Sequence, residues 1–130
     1  MSEIDHGQHQ AEAEARWGET QAYRESARRT RQYTEKDWAT LNGQQEAIEA
    51  GWAAAMAEGE PPDGQRAMDL AEEARMHIDR WFYPCSPTMH AALAKMYTAD
   101  DRFRAHYDDR AEGLAAYVAV AIQANTSRKG

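Results

Sequence analysis

The lone cysteine of the chain, Cys85, is the side chain with the clearest chemical potential. It precedes Ser86 and Pro87, and serine followed by proline is typical of a helix N-cap with proline at the first helical position. A thiol at a helix N-terminus lies in a positive electrostatic potential, which favours the thiolate and lowers the pKa from about 8.5. The sequence therefore predicts a nucleophilic cysteine, with a small buried hydrophobic residue as the alternative.

Two histidines flank this cysteine. His90 would lie one turn inside the helix that Ser86 begins, where it could assist deprotonation of the thiol or be a surface histidine. His77 would lie one turn before Trp81 and is predicted to hydrogen-bond a ligand, with a satisfied buried histidine as the alternative. The spacing of His77, Cys85 and His90 is not that of a zinc site and lacks a fourth ligand. We therefore expect neither a metal nor a cofactor.

Composition narrows the class of protein. The chain has 130 residues and a formal net charge of −7 at pH 7, which predicts one soluble, monomeric domain with a core of useful size. No apolar run is long enough to span a bilayer and no leader is evident, so we expect a cytoplasmic protein without membrane contact. The basic cluster 24–31 is interleaved with Glu25 and indicates a solvated helix face. Nucleic acid is therefore not an expected partner of this chain alone.

The elements that must position these side chains are predicted to be helices only. The chain has two valines and four isoleucines, no segment alternates like a half-buried strand, and helix formers dominate. Thr34 and Asp37 have the spacing of a capping box, and Asp63 is the expected cap of the following helix. The predicted helices occupy about 8–17, 21–32, 34–58, 65–82, 87–98, 101–107 and 111–125. Residues 126–130 are expected to form a mobile basic tail.

The two parts of the chain differ in apolar content. Residues 1–33 carry few bulky apolar groups, among them Trp17 and Tyr23, so this helical segment is predicted to be labile and to order when something docks on it. The alternative is that Trp17 and Tyr23 pack on the core at all times. Residues 34–130 have dense apolar helix faces and are predicted to form the ligand-binding core, which includes Trp38 and Trp52.

Several segments, in their order and spacing, resemble the TipAS antibiotic-recognition domain over about Glu14 to Asn125. The residues that carry the resemblance are Arg16-Trp17-Gly18-Glu19-Thr20-Gln21-Ala22-Tyr23-Arg24-Glu25-Ser26, Arg29-Thr30, Tyr33-Thr34-Glu35-Lys36-Asp37-Trp38, Trp81-Phe82-Tyr83, Cys85, Met89-His90, Met96-Tyr97, Ala99-Asp100, Arg102-Phe103, Gly113-Leu114-Ala115 and Tyr117.

The resemblance implies a globin-like all-α domain that binds thiopeptide antibiotics such as thiostrepton. Such domains are found at the C-terminus of MerR-type activators or as short drug-sequestering proteins, and they are not enzymes. The resemblance also implies N-terminal helices that are disordered when free and close over the ligand, and a cysteine that attacks a dehydroalanine of the antibiotic. Cys85 is the residue to which this role is carried over.

The predicted ligand-binding residues combine the thiol with flat aromatic faces suited to thiazole-rich macrocycles. They are Cys85 as the covalent attachment point, Trp17, Tyr23, His77, Trp81, Tyr83, Met89 and His90. Pro84 and Pro87 depart from the family pattern, in which Asp and often Tyr occupy these positions. Two prolines stiffen the segment that presents Cys85, and the identity of the antibiotic stays open.

The leading hypothesis from the sequence is thiopeptide sequestration with covalent capture by Cys85. The alternative is a non-covalent sensor for another bulky hydrophobic drug, similar to the albicidin-binding members. A cysteine hydrolase using Cys85 and His90 is disfavoured because no residue is placed to orient the histidine. No helix-turn-helix is evident before the domain, so we expect a stand-alone binding protein or an excised sensor domain.

Overall fold

The computed structural model describes residues 21–130, and over this range the chain forms six helices without a strand. The all-α prediction is therefore confirmed for this part of the chain. The helices are α1 (21–30), α2 (Glu35–Ala57), α3 (Gln65–Trp81), α4 (Pro87–Ala99), α5 (Asp101–Asp108) and α6 (Leu114–Lys129). The predicted helix 8–17 lies outside the described residues.

Local capping sets two of the helix starts as the sequence predicts. The Thr34 hydroxyl accepts from the Asp37 N–H at 3.2 Å, and the Asp37 carboxylate accepts from the Thr34 N–H at 3.0 Å, which completes the capping box. The Ser86 hydroxyl accepts from the Met89 N–H at 3.1 Å, with Pro87 at the first helical position of α4. These side chains satisfy N–H groups that have no partner within the helix.

The predicted cap of α3 is wrong by one residue. Gly64 is the N-cap, and Asp63 lies before it in a turn closed by the Gly64 N–H on the Pro61 carbonyl at 3.0 Å. A Cβ at Gly64 would approach the Pro61 ring to 2.8 Å. The turn therefore admits only glycine without rearrangement, and this steric requirement outweighs the capping preference of aspartate.

Helix α6 forms the centre of the core and contacts each of α2, α3, α4 and α5. Most of its large apolar side chains are buried and pack against Trp52 of α2 and the alanines of α3, whereas Val120 is 43% exposed. Trp52 is 2% exposed and donates its indole N–H to the Ala67 carbonyl at 3.2 Å. The buried residues of α6 are Leu114, Ala115, Tyr117, Val118, Ala121, Ile122 and Asn125.

The expected mobile tail at 126–130 is instead the last turn of α6, which ends at Lys129. Asn125 is buried, donates to Glu72 at 3.0 Å and accepts from Arg128 at 2.7 Å. The Thr126 hydroxyl contacts the Pro87 carbonyl at 3.1 Å. Polar contacts with α3 and α4 thus stabilise the last turn of α6. This turn lies beyond the apolar residues of the helix, so hydrophobic periodicity does not predict it.

The assignment of Trp38 to the core is wrong, whereas that of Trp52 is confirmed. Trp38 is 38% exposed and makes an edge-on contact with Tyr33, with ring centroids 5.8 Å apart. Trp38 lies near the start of α2, beyond the part of the apolar face of α2 that α6 covers.

Within residues 21–130, no helix has both the length and the apolar character required to cross a bilayer.

Candidate functional site

The candidate site is centred on the connection between α3 and α4, residues 82–86, which we call the corner. α3 ends at Trp81, and the Phe82 and Tyr83 N–H groups both bond back to the Ile78 carbonyl, at 2.9 and 3.1 Å. Proline at 84 cannot continue a helix, and Ser86 restarts one. The corner therefore presents Tyr83, Pro84 and Cys85 within a single turn of chain.

The thiol of Cys85 lies beneath the surface of the corner. Cys85 is 1% exposed, and its Sγ contacts the Ser86 carbonyl at 3.8 Å. Burial raises the pKa of the thiol to about 12; the nearby Arg75 guanidinium opposes this rise and Asp79 adds to it. The predicted lowering of the pKa is therefore wrong, because desolvation of a buried thiolate outweighs the potential of the helix terminus.

An interior cavity of about 200 Å³ lies between α2, α3, α4 and α5. Its wall combines apolar faces with tyrosine, histidine and carboxylate groups. The lining residues are Gln45, Ile48, Glu49, Trp52, Ala74, His77, Ile78, Phe82, Tyr83, His90, Tyr97 and Tyr107. Three of the predicted ligand-binding residues, His77, Tyr83 and His90, therefore share this wall.

His77 is a buried histidine with a hydrogen-bond partner, which is the alternative that the sequence left open. Its Nε2–H donates to the Leu41 carbonyl at 3.0 Å, which fixes the tautomer of the neutral ring. Burial lowers the pKa of His77, so the ring is uncharged at neutral pH. The side chain bridges α3 to α2 and leaves its other ring edge on the cavity wall.

His90 is 1% exposed, so neither a surface position nor a role as base for Cys85 fits it. Burial, together with the charge of Arg75, lowers the pKa of His90 to about 4. Its Nδ1 has no hydrogen-bond partner among the residues described. Because the pKa of His90 lies about eight units below that of the Cys85 thiol, His90 is too weak a base to deprotonate the thiol to a useful extent.

A hydrogen-bonded tyrosine pair closes the cavity on the side of α4 and α5. The Tyr97 and Tyr107 hydroxyls bond to one another, and burial is the largest cause of the raised pKa of both phenols. Glu49, also buried, accepts from Gln45 at 3.0 Å and from His106 at 3.0 Å. The tyrosine pair and Glu49 are thus polar groups with hydrogen-bond partners, and no sequence pattern assigned them to the site.

A second depression, the α1 groove, separates α1 from the corner and measures about 400 Å³. It is lined by Gln21, Ala22, Glu25, Tyr83, Pro84 and Met89. Tyr83 lines both the groove and the interior cavity, so this residue lies at the boundary between the two spaces. Cys85 directly follows Pro84 of the groove wall in the chain, but it is 1% exposed and does not itself line the groove.

Of the remaining predicted ligand-binding residues that the structure describes, Met89 lines the α1 groove, whereas Trp81 and Tyr23 do not. Trp81 is buried, donates its indole N–H to Gln44 at 2.8 Å, and meets Tyr33 edge-on at 5.4 Å, so it supports the corner from behind. Tyr23 on α1 is 75% exposed and does not line the groove. Trp17 lies outside the described residues. Met89 lines the groove as expected for a ligand contact.

Two residues that the sequence analysis missed hold the corner in place. Asp79 accepts from the Cys85 N–H at 2.8 Å, and Arg75 donates to the Cys85 carbonyl at 2.7 Å. No group of three or more His, Cys, Asp or Glu side chains in residues 21–130 is arranged to hold a metal ion. Asp79 and Arg75 thus restrain the backbone of Cys85 at its N–H and at its carbonyl.

Comparison with known proteins identifies this arrangement. The profile of the TipAS antibiotic-recognition domain matches residues 9–125. The chain belongs to the TipAS family. The resemblance inferred from the sequence segments is therefore confirmed, and it covers the α1 groove, the corner and the interior cavity together.

Curated relatives of this TipAS domain are transcription regulators. The HTH-type transcriptional activator TipA of Streptomyces coelicolor is 40% identical over 128 residues, which is 98% of this chain and 51% of the relative. The HTH-type transcriptional activator mta of Bacillus subtilis is 32% identical over 98 residues, which is 75% of this chain and 37% of the relative. The chain therefore spans about half the length of TipA, and the match to mta covers 37% of that relative.

Two solved structures of TipAS proteins share the fold. TipAS from a thiopeptide antibiotic multidrug resistance system of Streptomyces lividans, in complex with nosiheptide, matches with a TM-score of 0.80 and 40% identity over 98% of this chain and 89% of that chain. The antibiotic-binding domain of a TipA-class multidrug resistance transcriptional regulator matches with a TM-score of 0.63 and 39% identity over 68% of this chain and 95% of that chain. The globin-like fold predicted for this chain is confirmed.

Proposed function

We propose that this TipAS domain binds and sequesters a thiopeptide antibiotic in the α1 groove, with α1 as a lid over the ligand. The observation that carries the proposal is the position of the groove between α1 and the corner that contains Cys85. Membership of the TipAS family supports the ligand class, because a related TipAS protein was solved in complex with the thiopeptide nosiheptide.

The sizes of the two spaces favour the groove over the interior cavity. Sites for drug-sized ligands usually measure about 300–1,000 Å³. The interior cavity, at about 200 Å³, is too small for a macrocycle, whereas the groove, at about 400 Å³, is open and lies within the range. The macrocycle would rest against Tyr83 and Met89, and movement of α1 would adjust the width of the groove.

Covalent capture by Cys85 is the second part of the proposal. The thiol loses its proton to solvent, the sulfur bonds to the β-carbon of a dehydroalanine as the carbon–carbon π bond breaks, and the α-carbon takes up a proton. No atom leaves, so the product has the summed mass of protein and antibiotic. Because Cys85 is buried and its pKa is raised to about 12, the corner must open before the sulfur reacts.

The same burial supports a second candidate, a non-covalent sensor for a bulky hydrophobic drug. The groove and its aromatic edge do not require the thiol, and a protonated buried cysteine has little reactivity. In this form Cys85 would serve only as a packed residue of the corner. The two candidates share the groove and differ in whether a bond to sulfur forms.

We propose that residues 1–33 form the lid and 34–130 the ligand-binding core. The support within the described part of the lid is that none of residues 21–33 is buried, whereas the core begins with Leu41. The domain would act as a monomer in the cytoplasm, without catalysis and without nucleic-acid binding of its own. Its small-molecule partner would be the antibiotic, in keeping with relatives that are transcription regulators.

The test uses nosiheptide and the purified chain. Calorimetry should show binding, and intact mass spectrometry under denaturing conditions should show an adduct equal to the sum of both masses. Cys85→Ser should retain binding and lose the adduct. Binding without an adduct in the wild type would leave the non-covalent sensor, and absence of binding in both proteins would refute the proposal.

A matched pair of methionine variants locates the ligand. Met89 lines the α1 groove, whereas Met76 is 55% exposed on α3 outside it. Met89→Ala should weaken nosiheptide binding about tenfold, the effect typical of a central contact residue. Met76→Ala should bind as the wild type does, and an equal loss in both variants would place the ligand elsewhere.

A further inference from the structure

Helix α3 holds the backbone of Cys85 at both its N–H and its carbonyl. The Asp79 carboxylate accepts from the Cys85 N–H at 2.8 Å, and the Arg75 guanidinium donates to the Cys85 carbonyl at 2.7 Å. Hydrogen bonds with a charged partner are about twice as strong as neutral ones. We call these two contacts the clamp, since they fix the corner with the thiol 1% exposed.

α1 and the residues just after it dock on the last turn of α3, which also carries Asp79 of the clamp, whereas Arg75 lies one turn earlier. The Arg29 guanidinium donates to the carbonyls of Asp79 at 2.7 Å and Arg80 at 3.4 Å, and the Tyr33 hydroxyl donates to the Trp81 carbonyl at 2.5 Å. We call these contacts the latch. The last carbonyls of a helix lack partners within the helix, so the latch stabilises the final turn of α3.

We propose that Asp79 is a positioning residue that couples docking of α1 to burial of Cys85. Its carbonyl belongs to the latch and its carboxylate belongs to the clamp. When α1 undocks, the last turn of α3 loses the partners of its terminal carbonyls and frays, and the clamp loosens with it. When α1 docks again, the turn re-forms and draws the thiol back beneath the corner.

The coupling depends on how α1 is attached to α3. No side chain from 21 to 33 is buried, so apolar burial does not hold α1 in place by itself. Within α1, Arg28 and Arg29 bond to Glu25 at 2.6 and 2.7 Å, which orients Arg29 toward α3. The latch supplies the described hydrogen bonds between this segment and α3, and loss of the Arg29 contact acts directly on Asp79.

This inference deepens the proposed function by giving it an order of events. A ligand that enters beneath an open α1 meets a thiol that the same opening has released. With α1 docked, the thiol is shielded from other electrophiles. The coupling itself requires no antibiotic, so it can be tested without one.

The experiment measures alkylation of the full chain by iodoacetamide under native conditions, followed by intact mass. Cys85 is the single thiol of the sequence, so the modified fraction reports its exposure directly. Arg29→Ala and Asp79→Ala should each react about tenfold faster than the wild type, as expected for loss of a hydrogen bond to a charged group. Arg24→Ala, at an exposed arginine of the same helix, is the matched control and should react at the wild-type rate.

Conservative variants separate positioning from a loss of structure. Asp79→Asn and Arg29→Lys keep an acceptor and a donor, and they should bring the reaction most of the way back to the wild-type rate. If thermal melting shows that Asp79→Ala is not folded, Asp79→Ser takes its place, since it also removes the carboxylate, and should react about tenfold faster than the wild type.

The contradicting results are distinct. Fast alkylation of folded Asp79→Ala with a wild-type rate for Arg29→Ala would overturn the coupling and leave only the clamp. Wild-type rates for both variants, or for Asp79→Ser where it replaces Asp79→Ala, would overturn the clamp as well. Failure of nosiheptide to bind would refute the proposed function and leave these rates unchanged, so the two claims fail separately.

Discussion

Helices α1 and α6 are held in the protein by different forces. α6 buries seven residues and contacts four other helices of the described chain. α1 buries none over 21–30, and its hydrogen bonds to α3 are donated by the Arg29 guanidinium. One fold thus contains a helix fixed by a large buried apolar area and a helix that lacks fully buried residues.

The magnitudes explain why this difference matters for function. Burial of one large aliphatic side chain contributes about 1.5–3 kcal/mol, and α6 repeats this contribution along its length. A hydrogen bond contributes about 0.5–1.5 kcal/mol, and somewhat more when a charged group takes part. Short helices without tertiary support are marginal in water. α1 should therefore open in local fluctuations that leave the α6 core intact.

The largest expected effect is on the α6 side of the comparison. Ile122 is 0% exposed at the centre of the core. Ile122→Ala should reduce the free energy of unfolding by about 3–4 kcal/mol, through lost transfer energy and the cavity that remains. Urea denaturation followed by circular dichroism measures it. Arg24→Gly, at an exposed position of α1, mainly lowers the helix propensity and should cost about 1 kcal/mol or less. An equal loss at both positions would show that α1 and α6 do not differ in their contribution to stability.

Acid should weaken the core while it leaves the α1 contacts intact. His90 has a pKa of about 4 in the folded protein against 6.5 for the free group, so between these values the unfolded chain binds a proton that the folded chain does not. Stability attributable to His90 is thus complete above pH 6.5 and falls by about 3 kcal/mol as the pH drops to 4. Glu25 has its pKa lowered to about 2, mainly by hydrogen bonds from Arg28 and Arg29, and stays ionised in this window.

The pH effect is checked by urea unfolding at pH 7 and pH 4. His90→Leu, which is close in size and does not titrate, should show a smaller loss of stability between the two pH values than the wild type. If the variant and the wild type lose the same amount, His90 is not the group responsible.

The smallest expected effect concerns the Tyr33 hydrogen bond that helps to attach α1. Tyr33→Phe removes the hydroxyl that donates to the Trp81 carbonyl and leaves the ring contacts with Trp38 and Trp81 in place. Amide hydrogens of 21–30 should exchange about fivefold faster, as expected for the loss of about 1 kcal/mol. Exchange in α6 should be unchanged, and equal acceleration in both helices would mean that α1 opens only with the whole fold.

Most of the fold is predictable because its signals are local. The capping box at Thr34 and the Ser86-Pro87 start of α4 depend on residues within one turn, and the structure has both. The end of α6 is not predictable in this way, since Asn125 is held by Glu72 of another helix. The cap at Gly64 likewise depends on the approach of Pro61, which is a tertiary distance.

The segment of the candidate site could be proposed from the sequence, whereas its chemistry could not. The sequence predicts ligand contacts in the segment that contains Tyr83, Cys85 and Met89, and the structure has Tyr83 and Met89 on the wall of one groove. Whether the sulfur faces solvent depends on contacts from Asp79 and Arg75, six and ten positions earlier in the chain. No periodic or motif signal encodes that pairing. The N-cap rule therefore predicted a lowered pKa where burial raises it to about 12.

Hydrogen exchange with and without nosiheptide tests whether the antibiotic binds between α1 and the corner. Amides of 21–30 and 83–89 should exchange at least tenfold more slowly in the complex, because a bound ligand stabilises the docked state by mass action. Protection in α6 should change little by comparison. Unchanged exchange in 21–30, or protection centred away from the corner, would contradict the account.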